Sequence, residues 1–368
     1  MKNIKYYSLI CFFIIFSYVP INISATEIAT KDSTNFELVI ERVKKSVVLL
    51  SMSPNVDPDT DPSKTGLCSG VVVDDIGHVL TNFHCVYNQN YIRLYYHDKE
   101  DWQIYEVNVI GLDPLADLAL IKVLGKEEPI PYLKFAENIE NIKSGKDVFA
   151  LGHPMGMVWT VTKGIISSTE RYSRHPFIKA IQTDASINKG NSGGPLMNMK
   201  GEIVGINSLI ISRISENAGV GLAIRGDIAK KSLESMKING RVDRPAVGIM
   251  IMPLLLKKQR NKIIKEFPKL KKEFIPNTFG IFVRPDVDLP KGLNAFDTII
   301  AINDVMTNSG LEFSDEIYKH GIGDTITLTI VRKRRYMKVD VSLKVFPVDA
   351  DKMYAQKVPQ LPIPKRKP

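Results

Sequence analysis

The stretch NKGNSGGPL (residues 188–196) places three glycines, Gly190, Gly193 and Gly194, around one serine, Ser192. Glycine loses more backbone entropy on folding than any other residue, so a cluster of it marks a conformation that a Cβ would forbid. Two interpretations are open at this point. The cluster is either a tight surface turn or a loop whose N–H groups converge beside the hydroxyl, as an acyl-transfer nucleophile requires.

A serine nucleophile also needs a histidine that takes its proton and a carboxylate that orients the histidine. The candidate base is His84, in HVLTNFHCV, because it follows an apolar strand whose end can present a side chain. The candidate acid is Asp117, in DPLADLALIKV, at the mouth of a buried strand. Asp113 is predicted to be a turn residue, since a proline follows it. The order His84, Asp117, Ser192 is one of several in which unrelated proteases assemble a triad.

Residues 46–240 contain many short apolar runs separated by Gly, Asp and Pro, which predicts an all-β sandwich or barrel. A helix is predicted for GDIAKKSLESMKING, ended by Gly240. The ten strand-like runs are VVLLSM, GVVV, HVLTN, YIRLYY, DLALIKV, DVFALG, GIISS, IKAIQT, EIVGIN and GVGLAI.

A second domain is predicted over residues 245–346. TITLTIV and KVDVSLKV alternate with period two on either side of RKRRY, which predicts a β-hairpin. LEFSDEIYKH, ahead of them, predicts a helix stopped by Gly321 and Gly323. The tail at 347–368 is proline-rich and basic.

The first 25 residues have the form of a secretory signal: lysines, an apolar run and a small-residue end at Ala25. An uncleaved membrane anchor is the alternative, because the apolar stretch approaches the length that spans a bilayer. Residues 26–45 are predicted to form an N-terminal arm with a short amphipathic helix around NFELVIERVKK. In either case we expect an exported protein, periplasmic or secreted.

The basic charge lies in the C-terminal third. Residues 241–368 carry 24 Lys and Arg against 14 Asp and Glu, while the whole chain has a net charge of +9. The basic segment 257–272 is either a solvated helix face or a docking surface for anionic lipid or an acidic partner. Nucleic-acid binding is disfavoured, because export and the absence of aromatic-interleaved basic motifs both count against it.

Five runs, GVVVDDIGHVLTNFHCV, DPLADLALIKV, ALGHPMG, VTKGIIS and IQTDASINKGNSGGPL, together resemble the HtrA/Deg family of chymotrypsin-fold serine proteases. The resemblance covers about residues 45–225. It continues more weakly through 245–345, which is similar to the PDZ domain that follows the protease in that family. The resemblance implies an all-β double barrel of two six-stranded barrels, followed by a smaller α+β PDZ-like domain.

The resemblance also implies the roles of individual residues. It assigns His84 as base, Asp117 as orienting acid and Ser192 as nucleophile, with the N–H groups of Gly190 and Ser192 as the oxyanion hole. It implies a serine endopeptidase acting on unfolded or misfolded proteins through an acyl-enzyme, without a cofactor or metal, and possible homotrimers. The alternative is a peptide-binding chaperone or scaffold with latent protease activity.

Specificity is expected from two further sites. Ser186 and Ile187 occupy the floor of the S1 pocket by this resemblance and carry no charge, so an aliphatic residue is expected at P1. In the second domain Val247, Gly248 and Ile249 occupy the position of the PDZ loop that binds peptide C-termini.

Cys68 and Cys85 are expected to form a disulfide. They are the pair that remains after the signal segment, and an oxidising compartment preserves disulfides. Digestive chymotrypsin-like enzymes place a histidine-loop disulfide in this arrangement. The alternative is two buried thiols that act as small hydrophobes. Two cysteines alone make no metal site.

Overall fold

The computed structural model describes twelve segments of the chain. The signal segment 1–25, residues 26–34 of the arm and residues 348–368 of the tail lie outside the described residues. Within the described part, no helix is long and apolar enough to cross a membrane. The described segments are 35–52, 66–89, 91–98, 101–126, 128–154, 159–172, 178–208, 219–249, 251–254, 257–277, 279–285 and 288–347.

The first barrel is built from β1 (Val47–Ser51), β2 (Gly66–Val72), β3 (His78–Thr81), β4 (Arg93–Asp98), β5 (Asp101–Asp113) and β6 (Leu118–Val123). They close in the order β1-β2-β3-β6-β5-β4, with antiparallel neighbours. Alternate apolar residues such as Val48, Leu50 and Val79 fill the interior, as the two-residue period of a strand requires. A helix at residues 35–43 (α1) precedes β1, as predicted, and α2 (Phe83–Val86) follows β3.

The second barrel is built from β7 (Asp147–Gly152), β8 (Thr160–Tyr172), β9 (Lys179–Thr183), β10 (Pro195–Asn198), β11 (Ile203–Asn207) and β12 (Gly221–Arg225). Its order is β10-β11-β12-β9-β8-β7, again closed. The helix α3 (Gly226–Asn239) follows and ends at Gly240, whose φ of +69° is the left-handed cap that glycine accepts. One core cluster joins both barrels and α3, including Leu120, Ile206 and Met236.

The double-barrel prediction is confirmed, and each of the ten predicted runs falls on a strand. Two strands have no counterpart in the prediction. β5 exposes much of its surface and carries polar residues among its apolar ones, so it lacks an apolar run. β10 has four residues and starts at a proline directly after the glycine cluster. Pairing with neighbouring strands therefore orders β5 and β10, and neither has an apolar pattern that would predict a strand.

The C-terminal domain has a six-stranded sheet of β14 (Ile251–Pro253), β15 (Ile281–Val283), β16 (Thr298–Ile302), β17 (Val305–Met306), β18 (Thr325–Arg332) and β19 (Arg335–Ser342). A separate pair joins β13 (Pro245–Ala246) to β20 (Lys344–Val345). The predicted hairpin is confirmed, with pairing from Thr325↔Ser342 to Arg332↔Arg335. The predicted helix is α5 (Gly310–Ile317), and α4 (Lys257–Glu266) lies in the basic segment.

Asp113 is more than the turn residue that the sequence predicts. Its carboxylate does accept the Ala116 N–H at 3.1 Å, as a turn requires, but the residue is 0% exposed. Arg244, at the entry to the C-terminal domain, binds both carboxylate oxygens at 2.6 Å, and Ser232 Oγ donates to Oδ2 at 2.7 Å. A buried carboxylate needs such partners, and here they connect α3 and the second domain to the loop before Asp117.

Candidate active site

His84 and Asp117 are brought together by two paired strands. β3 leads into α2, which carries His84, and β6 starts directly after Asp117; Thr81 pairs with Ala119. His84 Nδ1 lies 2.9 Å from Asp117 Oδ2 and 3.0 Å from Oδ1, and the His84 backbone N–H donates to Oδ1 at 3.0 Å. In a neutral ring, a proton on Nδ1 facing this carboxylate leaves Nε2 as the basic nitrogen.

The Asp117 carboxylate is buried, at 5% exposure, and is held by several donors. Ser208 Oγ donates to Oδ2 at 2.6 Å, and the Asp117 carbonyl accepts from Asn82 Nδ2 at 3.0 Å. Asp117 has φ of +56°, a left-handed conformation that aspartate adopts more readily than most residues. Ser208 is a site residue that sequence reasoning missed, because nothing in its local pattern indicates that the end of β11 meets Asp117.

Ser192 lies in the loop between β9 and β10, 3% exposed. The Ser69 N–H donates to the Ser192 carbonyl at 2.8 Å, and the Gly193 N–H donates to Asn207 O at 2.9 Å. Gly193 has φ of +84°, and a Cβ there would collide with Ser69 O and Thr81 Oγ1. Because Thr81 ends the strand that leads to His84, this glycine lets the Ser192 loop seat against that strand.

Gly190 explains the other half of the glycine cluster. Its φ is +101°, and a Cβ would collide with His153 O and lie 2.7 Å from Pro154 Cα. Ser69 Oγ donates to the Gly190 carbonyl at 2.7 Å. The surface-turn interpretation is therefore wrong: Gly190, Gly193 and Gly194 are buried and are required by close backbone approach.

Ser186 and Ile187 lie just before this loop. The Ser186 carbonyl accepts from Thr162 Oγ1 at 2.9 Å, and its side chain is partly buried. Ile187 is buried and packs into the core of the second barrel. A Cβ at Gly221, in β12, would lie 2.6 Å from Ile187 Cγ1, so this glycine keeps the space beside the isoleucine open.

The structure joins Cys68 and Cys85 in a disulfide, with their Cα atoms 6.2 Å apart. It ties β2 to α2, beside Ser69 on the strand and His84 on the helix. Both sulfurs and a ring nitrogen of His84 lie within 4.8 Å of one another. Metal ligation by cysteine needs the thiolate, so the bonded pair offers no zinc ligand.

The predicted peptide loop opens the C-terminal domain. Val247 is buried in the core of that domain, and Ile249 packs against it. Gly248 is exposed and has φ of +77°, with nothing within 4 Å of a Cβ built on it. β14, an edge strand of the sheet, starts two residues after Ile249 in the sequence.

Two family descriptions match the chain: a trypsin-like peptidase domain at residues 68–206 and a PDZ domain at 273–343. A probable periplasmic serine endoprotease DegP-like of Chlamydia pneumoniae is 32% identical over 292 residues, 79% of this chain and 57% of that protein. A probable serine protease do-like of Buchnera aphidicola is 34% identical over 297 residues, 79% of this chain and 59% of that protein. The chain thus spans less than two thirds of the length of these relatives.

Solved structures extend the similarity across both domains. An HtrA-type protease AlgW with decapeptide superimposes with a TM-score of 0.70 and 26% identity, over 85% of this chain and 99% of that one. A serine endoprotease from Yersinia pestis gives a TM-score of 0.63 and 29% identity, over 85% of this chain and 98% of that one. The chain therefore carries a trypsin-like peptidase domain followed by a PDZ domain, and in sequence and fold it is similar to the HtrA-type serine proteases.

Proposed function

We propose that this chain is an exported serine endopeptidase that hydrolyses peptide bonds through an acyl-enzyme. The observation that carries the proposal is the ion-pair geometry of His84 and Asp117, 2.9 Å between Nδ1 and Oδ2. The seating of the Ser192 loop against the strand that leads to His84 supports it. Relatives named as periplasmic serine endoproteases support the same reaction and the same compartment.

The reaction follows from these positions. Ser192 Oγ attacks the substrate carbonyl carbon as His84 Nε2 takes the hydroxyl proton, and Asp117 stabilises the resulting imidazolium. The Gly190 and Ser192 N–H groups stabilise the negative oxygen of the tetrahedral intermediate. The C–N bond then breaks as His84 gives its proton to the leaving amine, and water hydrolyses the remaining ester by the same steps. We propose unfolded or misfolded polypeptides as substrates, cleaved after aliphatic residues that occupy the pocket of Ser186 and Ile187.

The C-terminal domain is proposed to bind peptide C-termini. Gly248 allows the backbone N–H groups of the loop 247–249 to face a carboxylate, and a peptide strand would add beside β14, which lies at one edge of the sheet. HtrA structures with bound peptides support a polypeptide ligand. We also propose a homotrimer, which the molar mass from light scattering tests directly.

Active-site labelling with a fluorophosphonate probe, combined with casein hydrolysis, tests the proposed activity. We expect the wild type to be labelled and to cleave casein, and Ser192→Ala to lose about 10⁴- to 10⁶-fold in activity, because triad members act as a unit. Ser342→Ala, an exposed serine on β19, is the matched control and should behave as wild type. Labelling without casein turnover favours the chaperone alternative, and an unlabelled wild type contradicts the assigned nucleophile.

A second proposal concerns the basic segment 257–272, which we propose docks on an anionic lipid surface. An apolar groove beside α4 is lined by Phe267, Leu270, Phe274 and Phe296. Three exposed lysines, Lys269, Lys271 and Lys333, also line it, and the acid there, Glu266, is paired with Arg284 at 2.7 Å. Aromatic and aliphatic groups beside exposed lysines match the acyl boundary and the charged headgroups of an anionic bilayer.

Co-sedimentation with vesicles of phosphatidylglycerol and phosphatidylcholine tests this proposal. We expect the double variant Lys269→Glu with Lys271→Glu to lose binding to the anionic vesicles. Neither the wild type nor this variant should bind vesicles of pure phosphatidylcholine. Lys230→Glu with Lys231→Glu, on exposed positions of α3, changes the net charge equally and is the control. An equal loss of vesicle binding in both double variants would show that only net charge matters and would refute docking through the groove.

A further inference from the structure

Ser69 lies in β2 of the first barrel, yet it is bonded to the nucleophile loop of the second. The residue is wholly buried. Its backbone N–H donates to the Ser192 carbonyl at 2.8 Å, and its own carbonyl accepts from Thr81 Oγ1 at 2.8 Å. The strand thus touches both the peptide of the proposed nucleophile and the end of the strand that leads to His84.

The Ser69 hydroxyl makes three contacts with the second barrel. It lies 2.7 Å from the Gly190 carbonyl, 3.0 Å from the backbone N of His153 and 3.2 Å from His153 Nδ1. A hydroxyl has one proton to donate and two lone pairs. The carbonyl can only accept, so the proton points to Gly190, and the lone pairs face the two nitrogens of His153.

The contacts of the Ser69 hydroxyl assign the tautomer of His153. Its Nδ1 must carry a proton to donate to Ser69, which leaves Nε2 unprotonated in the neutral ring. Nε2 is buried without a hydrogen-bond partner in the described part of the chain. Burial lowers the pKa of His153 to about 3, so the ring is neutral at physiological pH. In this tautomer the hydroxyl proton of Ser69 is directed at the Gly190 carbonyl.

The Gly190 carbonyl belongs to the peptide that lies between the two proposed oxyanion donors, the N–H groups of Gly190 and Ser192. The plane of that peptide sets the relative direction of the two donors. Gly190, at φ of +101°, has no side chain and little intrinsic preference to hold the peptide in place. Oxyanion donors stabilise the transition state when they are fixed beforehand.

We infer that Ser69 is a positioning residue that locks the Gly190–Asn191 peptide through its hydroxyl and so preorganises the oxyanion hole. The neighbouring disulfide extends the connection, since Cys68 precedes Ser69 and Cys85 follows His84. One short segment of the first barrel is thereby bonded to the nucleophile loop and tied to the base. The inference rests on the proposed endopeptidase function and deepens it.

Steady-state hydrolysis of a quenched peptide with valine at P1 tests the inference, with Ser69→Ala compared against Ser314→Ala. Ser314 is also a buried serine whose hydroxyl donates to a backbone carbonyl, that of Gly310 at 2.8 Å, but it lies in the C-terminal domain. We expect Ser69→Ala to lower kcat by about 10²-fold, the scale of one lost oxyanion donor, and to leave KM within about threefold. Ser314→Ala should keep the wild-type kcat.

A transition-state analogue separates positioning from a general structural effect. The affinity of a peptide boronate, which forms a tetrahedral adduct, should fall in parallel with kcat in Ser69→Ala. If Ser69→Ala does not fold, Ser69→Thr is measured instead, because threonine keeps the hydroxyl. A wild-type kcat in Ser69→Thr supports the inference, and a fall in kcat of about 10²-fold overturns it. If the wild type is active and Ser69→Ala keeps the wild-type kcat, with or without a change in KM, the inference is refuted and the proposed function stands. An inactive, unlabelled wild type refutes the proposed function and the inference with it.

Discussion

Acid should destabilise the barrels through His153, and replacing this histidine should remove that sensitivity. Burial alone lowers the pKa of His153, from 6.5 to about 3. Below pH 6.5 the unfolded chain binds a proton at this residue and the native state does not. The free energy of unfolding therefore falls as the pH drops from 6.5 toward 3, and above 6.5 the effect is absent.

The size of the effect follows from the two pKa values. Between pH 7 and pH 5, the unfolded histidine goes from mostly neutral to almost fully protonated, while the native one stays neutral. Linkage then gives a loss of about 2 kcal/mol in the free energy of unfolding over this interval. Asparagine does not titrate, so the His153→Asn variant should not show this pH-dependent loss of about 2 kcal/mol, whatever its free energy of unfolding at pH 7.

Urea unfolding at pH 7 and pH 5, for His153→Asn and its parent, measures the difference. Both proteins carry Ser192→Ala to prevent self-cleavage. Tryptophan fluorescence reports the barrels, since the two tryptophans of the chain, Trp102 and Trp159, lie in β5 and directly before β8. We expect the parent to lose about 2 kcal/mol more than the variant between the two pH values. Equal losses in the two proteins would refute the assignment of a buried, neutral His153.

Four further predictions concern the domain junction, the disulfide and specificity. Arg244→Met should cost about 3 to 5 kcal/mol in urea unfolding, because it leaves the buried Asp113 carboxylate without its cation; a cost below about 1 kcal/mol, the scale of an exposed pair, would contradict that reasoning. For the same reason a chain truncated after residue 246, which keeps Arg244, should stay folded and react with the fluorophosphonate probe better than one truncated after residue 240. Intact mass after alkylation should show that neither Cys68 nor Cys85 is modified in unreduced, denatured protein and that both are modified after reduction. Closing this loop should add about 3 kcal/mol to the free energy of unfolding. Two alkylated thiols without reduction would rule the disulfide out. Cleavage sites mapped by mass spectrometry should favour aliphatic P1 residues, and a majority of cuts after Lys or Arg would show that Ser186 is not at the pocket floor.

Prediction from sequence succeeded where a local pattern carries the structural signal. The alternation in TITLTIV and KVDVSLKV specifies a hairpin because one face of each strand must be buried, and the hairpin pairs throughout. Prediction failed for β5, which spans 13 residues. Its polar and half-exposed side chains give no apolar run, and pairing with β4 and β6 supplies the order instead.

The sequence by itself indicated the all-β class through its strand periodicity. Its short motifs, which resemble those of HtrA/Deg proteases, predicted the double barrel and the residues assigned to the candidate triad. Only the tertiary structure decided how that site is held. Nothing in the local sequence indicates the contacts of Ser69, Ser208 and His153, and Asp113 is predicted to be a turn residue. A hydroxyl or carboxylate acts only over a hydrogen-bond distance, so its role depends on strands and loops that are remote in the chain. Barrel closure sets those distances, and it places the Ser69 hydroxyl 2.7 Å from a carbonyl 121 residues away.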